Sequence, residues 1–215
     1  MEPNRLDRLQ REVLAAFFAR EGRFFLTGGA ALVGYYLGHR TTHDLDLFTT
    51  EDLLEDGLAA LAASAREVDA TLEPIRTSPD FRRFLLRRGD EALVVDLVRD
   101  SAPQLFPDKP VIGGIRIDPP EEILANKLCT LLSRSEIRDL VDVKALEQKG
   151  FSIEQAFPLA MRKDGGLTPG QLAWVLSELR IGTDASPPGD VSGSELREYL
   201  EDLRHRLAKM AFPPQ

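Results

Sequence analysis

Two aspartates separated by a single residue point to metal chemistry near the start of the chain. Asp44 and Asp46 alternate with apolar residues in the segment DLDLFT, and this period of two predicts a β-strand with both carboxylates on one face. Two carboxylates held this close repel each other, so they cost stability unless a cation lies between them. Mg²⁺ binds carboxylate and triphosphate oxygens together. The pair therefore predicts a Mg²⁺ site that can also receive a triphosphate.

A third carboxylate lies inside an apolar run. Asp96 stands in the segment ALVVDLV, whose β-branched residues predict a buried strand. A buried carboxylate without a partner is costly. Two explanations remain open for Asp96: it is a third metal ligand, or a structural salt bridge or backbone hydrogen bond satisfies it.

Two consecutive glycines precede the aspartates. Gly28 and Gly29 follow the short apolar segment RFFLT and open the segment AALVGYYLG, so they predict a strand, a turn and a helix in succession. Glycines let the backbone approach a phosphate closely, and a helix N-terminus offers free N–H groups. A plain strand-to-helix turn is the alternative interpretation.

The elements that must position these residues follow from the hydrophobic pattern. Strands are predicted at 23–27, 44–49, 70–77, 81–88, 92–99 and 111–117. Helices are predicted at 4–20, from Gly28 to about Gly38, and at 51–67, 120–134, 136–149, 152–163, 168–180 and 194–209. This order predicts an α+β (mixed α/β) fold, with a small mixed sheet flanked by helices and then a helical C-terminal part. We place the domain boundary at Pro119-Pro120, giving a core at 1–118 and a helical region at 119–215 that completes the active-site cleft.

Composition narrows the class of protein. The chain has 215 residues, 43% of them hydrophobic, a net charge of −8 and a single cysteine, Cys129. These values favour a globular protein without an intramolecular disulfide, for which a cytoplasmic location is expected. No apolar run approaches the length needed to span a membrane. The negative charge does not favour nucleic-acid binding, although strand 81–88 offers a local basic patch of Arg82, Arg83, Arg87 and Arg88.

Several segments together resemble a known family. The run GGAALVGYYLGHRTTHDLDLF resembles the nucleotidyltransferase signature, and VVDLV resembles the strand of its third carboxylate. The later run PPEEILANKLCTLLSRSEIRDLVDVKALEQKG resembles the lysine helix and the R-D-x-x-D helix of the AbiEii/AbiGii abortive-infection toxins. The resemblance extends from about Phe24 to about Gly150 and implies the nucleotidyltransferase fold.

The resemblance also implies roles for individual residues. It implies that Gly28 and Gly29 bind phosphate and that Asp44, Asp46 and Asp96 are catalytic carboxylates that hold metal, with two Mg²⁺ ions and a nucleoside triphosphate as substrate. It further implies that Lys127 contacts nucleotide phosphate and that Asp139 and Asp142 form the acidic pair of the last motif. From the residues alone, Lys127 could instead be a solvated helix residue. Likewise, Arg138 and Asp142 could be an exposed helical ion pair.

Three functions compete on these grounds. The resemblance implies a toxin that transfers a nucleoside monophosphate to RNA, with the 3′ end of tRNA as one acceptor and an antitoxin protein as partner. A small-molecule transferase of the aminoglycoside type would use the same first motifs, and the negative charge slightly favours a cationic acceptor. A non-catalytic nucleotide-binding domain is the third, and the intact carboxylates at Asp44, Asp46 and Asp96 count against it.

Overall fold

The structure is a computed structural model, and it describes residues 5–212. This part of the chain divides into two compact units. The first consists of the residues up to Ser101 together with Phe106–Pro119, and the second of Ala102–Leu105 and the residues from Pro120 onward. The segment Ala102–Leu105 thus leaves the predicted first domain. Its last residue, Leu105, donates its backbone N–H to the Glu122 carboxylate at 3.0 Å.

Helix α1 (Arg8–Phe18) begins the first unit with a capping box. The side chain of Asp7 accepts from the backbone N–H of Gln10, and the side chain of Gln10 accepts from the backbone N–H of Asp7. The helix buries one face, which carries Leu9, Val13, Leu14 and Phe17. This face has the three- and four-residue spacing that predicted the helix.

A five-stranded mixed sheet forms the centre of the first unit, in the order β1-β2-β5-β4-β3. Its strands are β1 (Phe25–Thr27), β2 (Asp44–Thr49), β3 (Thr71–Ser78), β4 (Phe81–Arg88) and β5 (Glu91–Arg99). Strands β2 and β5 are parallel, and the other neighbouring pairs are antiparallel. The predicted mixed sheet is confirmed.

The two faces of the sheet have different surroundings. One face carries the fully buried Leu45, Leu47 and Leu97. Helix α3 (Leu54–Glu67) contacts β3, β4 and β5 on this face, where its Glu55 pairs with Arg82 of β4. The residues between these leucines point the other way, so β2 and β5 present their aspartates on the opposite face.

Two predicted elements of the first unit differ in the structure. The helix after β1 was predicted to reach Gly38, but α2 is only Gly28–Ala31 and a π-helical turn, Leu32–Tyr36, follows it. The N–H of Leu37 bonds to the carbonyl of Leu32 at 2.7 Å, so the ladder has shifted to the wider i to i−5 pattern. The strand predicted at 111–117 is a hairpin of β6 (Val111–Ile112) and β7 (Ile115–Arg116), because Gly113 and Gly114 both adopt positive φ.

The second unit contains the five predicted helices. They are α4 (Pro120–Ser133), α5 (Ile137–Gln148), α6 (Ile153–Lys163), α7 (Pro169–Glu178) and α8 (Gly193–Ala211). Side chains of Ser152, Thr168 and Ser192 cap the last three by accepting backbone N–H groups. Within residues 5–212, no helix is long and apolar enough to cross a bilayer.

Candidate functional site

Four side chains form a row across the sheet at the level of the second aspartate. Thr27 of β1 lies opposite Asp46 of β2, Asp46 opposite Asp96 of β5, and Asp96 opposite Arg83 of β4. Residues paired directly across strands project to the same face, and neighbouring strands are about 4.8 Å apart. Asp44 lies two residues before Asp46 and shares its face. The structure therefore brings the three predicted aspartates of the first unit together.

Asp96 already has a cationic partner. It is 4% exposed. Both of its carboxylate oxygens accept hydrogen bonds from Arg83, from Nε at 2.8 Å and from Nη2 at 2.7 Å. This bidentate pair is the structural salt bridge that the sequence left open as one of two explanations for Asp96.

The charge of Arg83 is felt by all three aspartates. Its pKa is raised chiefly by the hydrogen bond to Asp96, against the opposing effect of burial, and then by the charges of Asp96, Asp46 and Asp44. The guanidinium of Arg83 thus reduces the repulsion among three carboxylates on one sheet face.

A chain of hydrogen bonds positions Asp44. The hydroxyl of Thr42 donates to the Asp44 carboxylate. The carbonyl of Thr42 in turn accepts from Nε2 of Gln10 at 2.9 Å. Gln10 is fully buried, and the capping box of α1 holds its side chain. The first helix is therefore tied to the strand that carries the aspartates.

The two predicted glycines are required by close approach to this site. Gly28 has a φ of +65°, and a Cβ there would lie 2.4 Å from Oδ2 of Asp46. A Cβ on Gly29 would lie 2.6 Å from Nη2 of the buried Arg40. A side chain at Gly28 would be strained by the positive φ and would displace the Asp46 carboxylate, and one at Gly29 would displace the Arg40 guanidinium, so glycine at both positions keeps backbone alone against these groups.

The remaining predicted site residues come together in the second unit. Nζ of Lys127 on α4 lies 2.7 Å from Asp139 and 2.6 Å from Asp142, both on α5. The two carboxylates are fully buried and the lysine side chain is 8% exposed. Arg134 adds bonds of 2.9 and 3.2 Å to Asp139. The alternatives of a solvated lysine and of an exposed Arg138–Asp142 pair are therefore wrong, because Lys127 and Asp142 are buried against each other.

This buried cluster is strongly charged. Burial alone would lower the pKa of Lys127, but the carboxylates of Asp142 and Asp139 outweigh it and raise that pKa. Burial would likewise raise the pKa of Asp139, but Lys127 and Arg134 outweigh it and lower that pKa. Lys127 and Asp139 therefore each stabilise the charged form of the other.

The arginines of β4 do not form one basic patch. Alternation along the strand places Arg82 and Arg83 on opposite faces. Arg82 pairs with Glu55, and Arg88 pairs with Glu12 and Glu91. The local patch considered from the sequence is thus divided between two faces and largely paired with acidic residues.

With the geometry described, comparison with known proteins identifies the family. The family model described as "Nucleotidyl transferase AbiEii toxin, Type IV TA system" matches residues 12–212. The chain belongs to the AbiEii nucleotidyltransferase toxin family. The match confirms the resemblance to this family. It also extends over the C-terminal helices, beyond Gly150, where the resemblance ended. No curated protein sequence matches the chain.

Solved structures share the fold of this AbiEii family member. A crystal structure from H. pylori named as a candidate nucleotidyltransferase is 20% identical, with a TM-score of 0.59 and coverage of 97% of this chain and 96% of the other. JHP933 from Helicobacter pylori is 23% identical, with a TM-score of 0.56 and coverage of 95% and 92%. MenT4, a nucleotidyltransferase toxin of Mycobacterium tuberculosis H37Rv, is 14% identical, with a TM-score of 0.54 and coverage of 96% and 83%. These similarities confirm the predicted nucleotidyltransferase fold.

The donor groups of the AbiEii chain fit a hard divalent cation. The three aspartates offer carboxylate oxygens on one face, and the buried hydroxyl of Thr27 beside Asp46 has no hydrogen-bond partner among residues 5–212. Over the same residues, however, no three His, Cys, Asp or Glu side chains are already arranged to hold a metal ion. Asp96 differs from Asp44 and Asp46 in that both of its carboxylate oxygens accept hydrogen bonds from Arg83.

Sequence reasoning missed the roles of Arg83, Thr42 and Gln10 at this site, since it placed Arg83 only in a basic patch. A signal for Arg83 was present, because the two-residue turn Gly89-Asp90 fixes the register of the hairpin and places Arg83 opposite Asp96. Thr42 precedes Asp44 by two residues and could have been considered as its hydroxyl partner. Nothing local singles out Gln10, since its partner is 32 residues away.

Proposed function

We propose that this AbiEii family member is a metal-dependent nucleotidyltransferase that moves a nucleoside monophosphate from a nucleoside triphosphate to an acceptor hydroxyl. One observation carries the proposal: Asp44, Asp46 and Asp96 share one sheet face, beside the side-chain-free turn at Gly28. Mg²⁺ is the proposed cation, since carboxylate and phosphate oxygens are its preferred ligands. When bound, two such ions would stabilise the attacking and leaving oxygens at the α-phosphorus.

Residues of the first unit would bind the metal ions and the triphosphate. Asp44 and Asp46 would hold metal, with Asp44 oriented by the hydroxyl of Thr42. Asp96 would hold the metal ion that activates the attacking hydroxyl. The turn at Gly28 and Gly29 would admit the triphosphate, because no Cβ fills the space beside Asp46 and Arg40.

Lys127 is proposed as a phosphate ligand, with Asp139 and Asp142 as the carboxylates that keep it charged. An ammonium group has three donors, and the bonds to the two carboxylates use two of them. The third donor would be available to a phosphate oxygen. In this proposal the two aspartates contribute by fixing the position and charge of the lysine.

The proposals for the partner and the acceptor rest on the family alone. The family name includes a toxin–antitoxin system, so we propose an antitoxin protein as partner. We further propose RNA as the acceptor, with the 3′ end of tRNA as one specific case, and this proposal rests on the resemblance to the AbiEii/AbiGii toxins. MenT4, which shares the fold, is also named a nucleotidyltransferase toxin.

Incubation with each labelled nucleoside triphosphate, Mg²⁺ and total RNA tests the proposal. We expect one RNA species to gain label, and we expect Asp46→Asn to abolish the transfer. Asp52→Asn is the matched control, since it removes the same charge from a side chain that is 87% exposed. A parallel incubation replaces the RNA by aminoglycosides, and label transferred to these molecules but not to RNA would replace RNA by the aminoglycoside-type function. Transfer unaffected by Asp46→Asn would refute the assigned site.

A further inference from the structure

Arg83 occupies the position that a metal ion would compete for. Its guanidinium binds both oxygens of Asp96. The negative charges of Asp46 and Asp44 also attract it and raise its pKa. A divalent cation at this face needs the same oxygens. A metal that binds Asp96 through the lone pairs that now accept from Arg83 would compete directly with this bond.

We propose that Arg83 is an exchangeable counter-cation, which holds Asp96 in the metal-free protein and is displaced from it when a divalent metal binds. This inference rests on the metal site of the proposed function. It assigns Arg83 a positioning role. The side chain stabilises the metal-free site and lowers its affinity for the metal ion.

The surroundings of Arg83 allow it to move. Its side chain is 42% exposed, whereas that of Asp96 is 6% exposed, so the cation is the mobile partner of the pair. The guanidinium carbon also lies 5.5 Å from the ring centroid of Phe81, on the same face of β4. This cation–π contact does not involve Asp96, so it can remain when the bond to Asp96 is lost.

Arg76 of β3 borders the same aromatic ring as Arg83. It is paired opposite Arg83 across the strands, and its guanidinium carbon lies 5.8 Å from the centroid of the same Phe81 ring. Two guanidinium groups thus border one half-buried aromatic ring near the three aspartates. Arg76 is also the natural control, because it places an equal charge near the site without bonding to Asp96.

The test measures binding of Mn²⁺ to the full chain without nucleotide, by calorimetry or by the electron-spin-resonance signal of free Mn²⁺. Removing the competitor in Arg83→Gln should tighten binding by about tenfold or more, the worth of a charge-assisted bidentate bond. Arg76→Gln should change it by less than about threefold, since only a screened charge is lost. Equal changes in the two variants, or weaker binding in Arg83→Gln, would overturn the exchange.

Asp46→Asn separates this inference from the proposed function. Binding that survives Asp46→Asn, or no binding by any variant, contradicts the metal site itself and the exchange with it. Binding that is lost in Asp46→Asn but unchanged in Arg83→Gln overturns the exchange alone.

Stability provides a second readout that does not depend on activity. In chelator, Arg83→Gln should unfold at lower denaturant than wild type, because Asp96 loses its partner. In saturating Mn²⁺ the difference should shrink, since the wild type has then given up the same bond. A difference that is the same under both conditions would mean that Arg83 stays on Asp96 with metal present.

Discussion

Replacing Lys127 by methionine would leave two buried carboxylates facing each other without their shared cation. Asp139 and Asp142 are both fully buried, and each lies within 2.7 Å of the lysine ammonium. Breaking a buried ion pair by removing one partner costs about 3–5 kcal/mol. Arg134 still contacts Asp139 but has a 44% exposed side chain, so solvent weakens its compensation. We expect Lys127→Met to lower the free energy of unfolding by about 3–5 kcal/mol at pH 7.

Urea denaturation at pH 7 measures this loss, and two further variants identify its cause. Lys149→Met removes an exposed lysine at the end of α5 and should change stability by less than about 0.5 kcal/mol. Adding Asp139→Asn and Asp142→Asn to Lys127→Met should recover most of the loss, because the unpaired charges are gone.

A loss below about 1 kcal/mol in Lys127→Met would refute the reasoning, since an exposed lysine pair is worth that little. A large loss of stability that Asp139→Asn and Asp142→Asn do not recover would show that lost packing, and not unpaired charge, destabilises Lys127→Met. A nucleotide affinity measured on any Lys127 variant must therefore be corrected for the fraction of folded protein.

Three other predictions concern the first unit and pH. Asp46→Asn should leave the metal-free fold as stable as wild type or more so, because one of three repelling carboxylate charges is removed; a clear loss of stability in urea would contradict this. Gly28→Ala should cost about 1–3 kcal/mol, because the alanine would adopt a φ of +65° with its Cβ against Asp46, and an unchanged denaturation midpoint would show that the turn relaxes freely. The pKa of Asp139 is lowered on folding, so its contribution to stability is present above the unfolded pKa of about 3.9 and is lost as pH falls through the lower folded value. Denaturation midpoints measured from pH 7 down to pH 2 should show this fall, and Asp139→Asn should flatten it.

Much of the sheet was predictable because its pattern is local. The alternation in DLDLFT sets the faces of β2 whatever its neighbours are, and the confirmed strand keeps both aspartates on one face. The short turn at Gly89-Asp90 likewise fixes the pairing of β4 with β5. The parallel pairing of β2 with β5 has no such local cause, since the two strands are joined through a helix and two further strands.

The environment of Lys127 could be predicted only in part. Leu124 and Leu131 are buried at helical spacing on either side of it, which indicates the face that α4 turns inward. A lysine on such a face either extends to solvent or meets an acid, and the choice depends on the helix packed against it. That helix contains Asp139 and Asp142, twelve or more residues away in the chain, so the outcome is a property of tertiary packing.

The segment Ala102–Leu105 has a consequence for dividing the protein into fragments. It belongs to the second unit but precedes the end of the first, so no single cut in the chain separates the two units. A fragment that begins at Pro120 lacks the N–H of Leu105 and removes one hydrogen-bond donor from the buried Glu122, whose other contacts include Lys163. A fragment that ends at Pro119 carries four residues without the helices they pack with. Soluble halves of this protein would require Ala102–Leu105 to be transplanted to the start of the second fragment and its gap in the first to be closed by a linker.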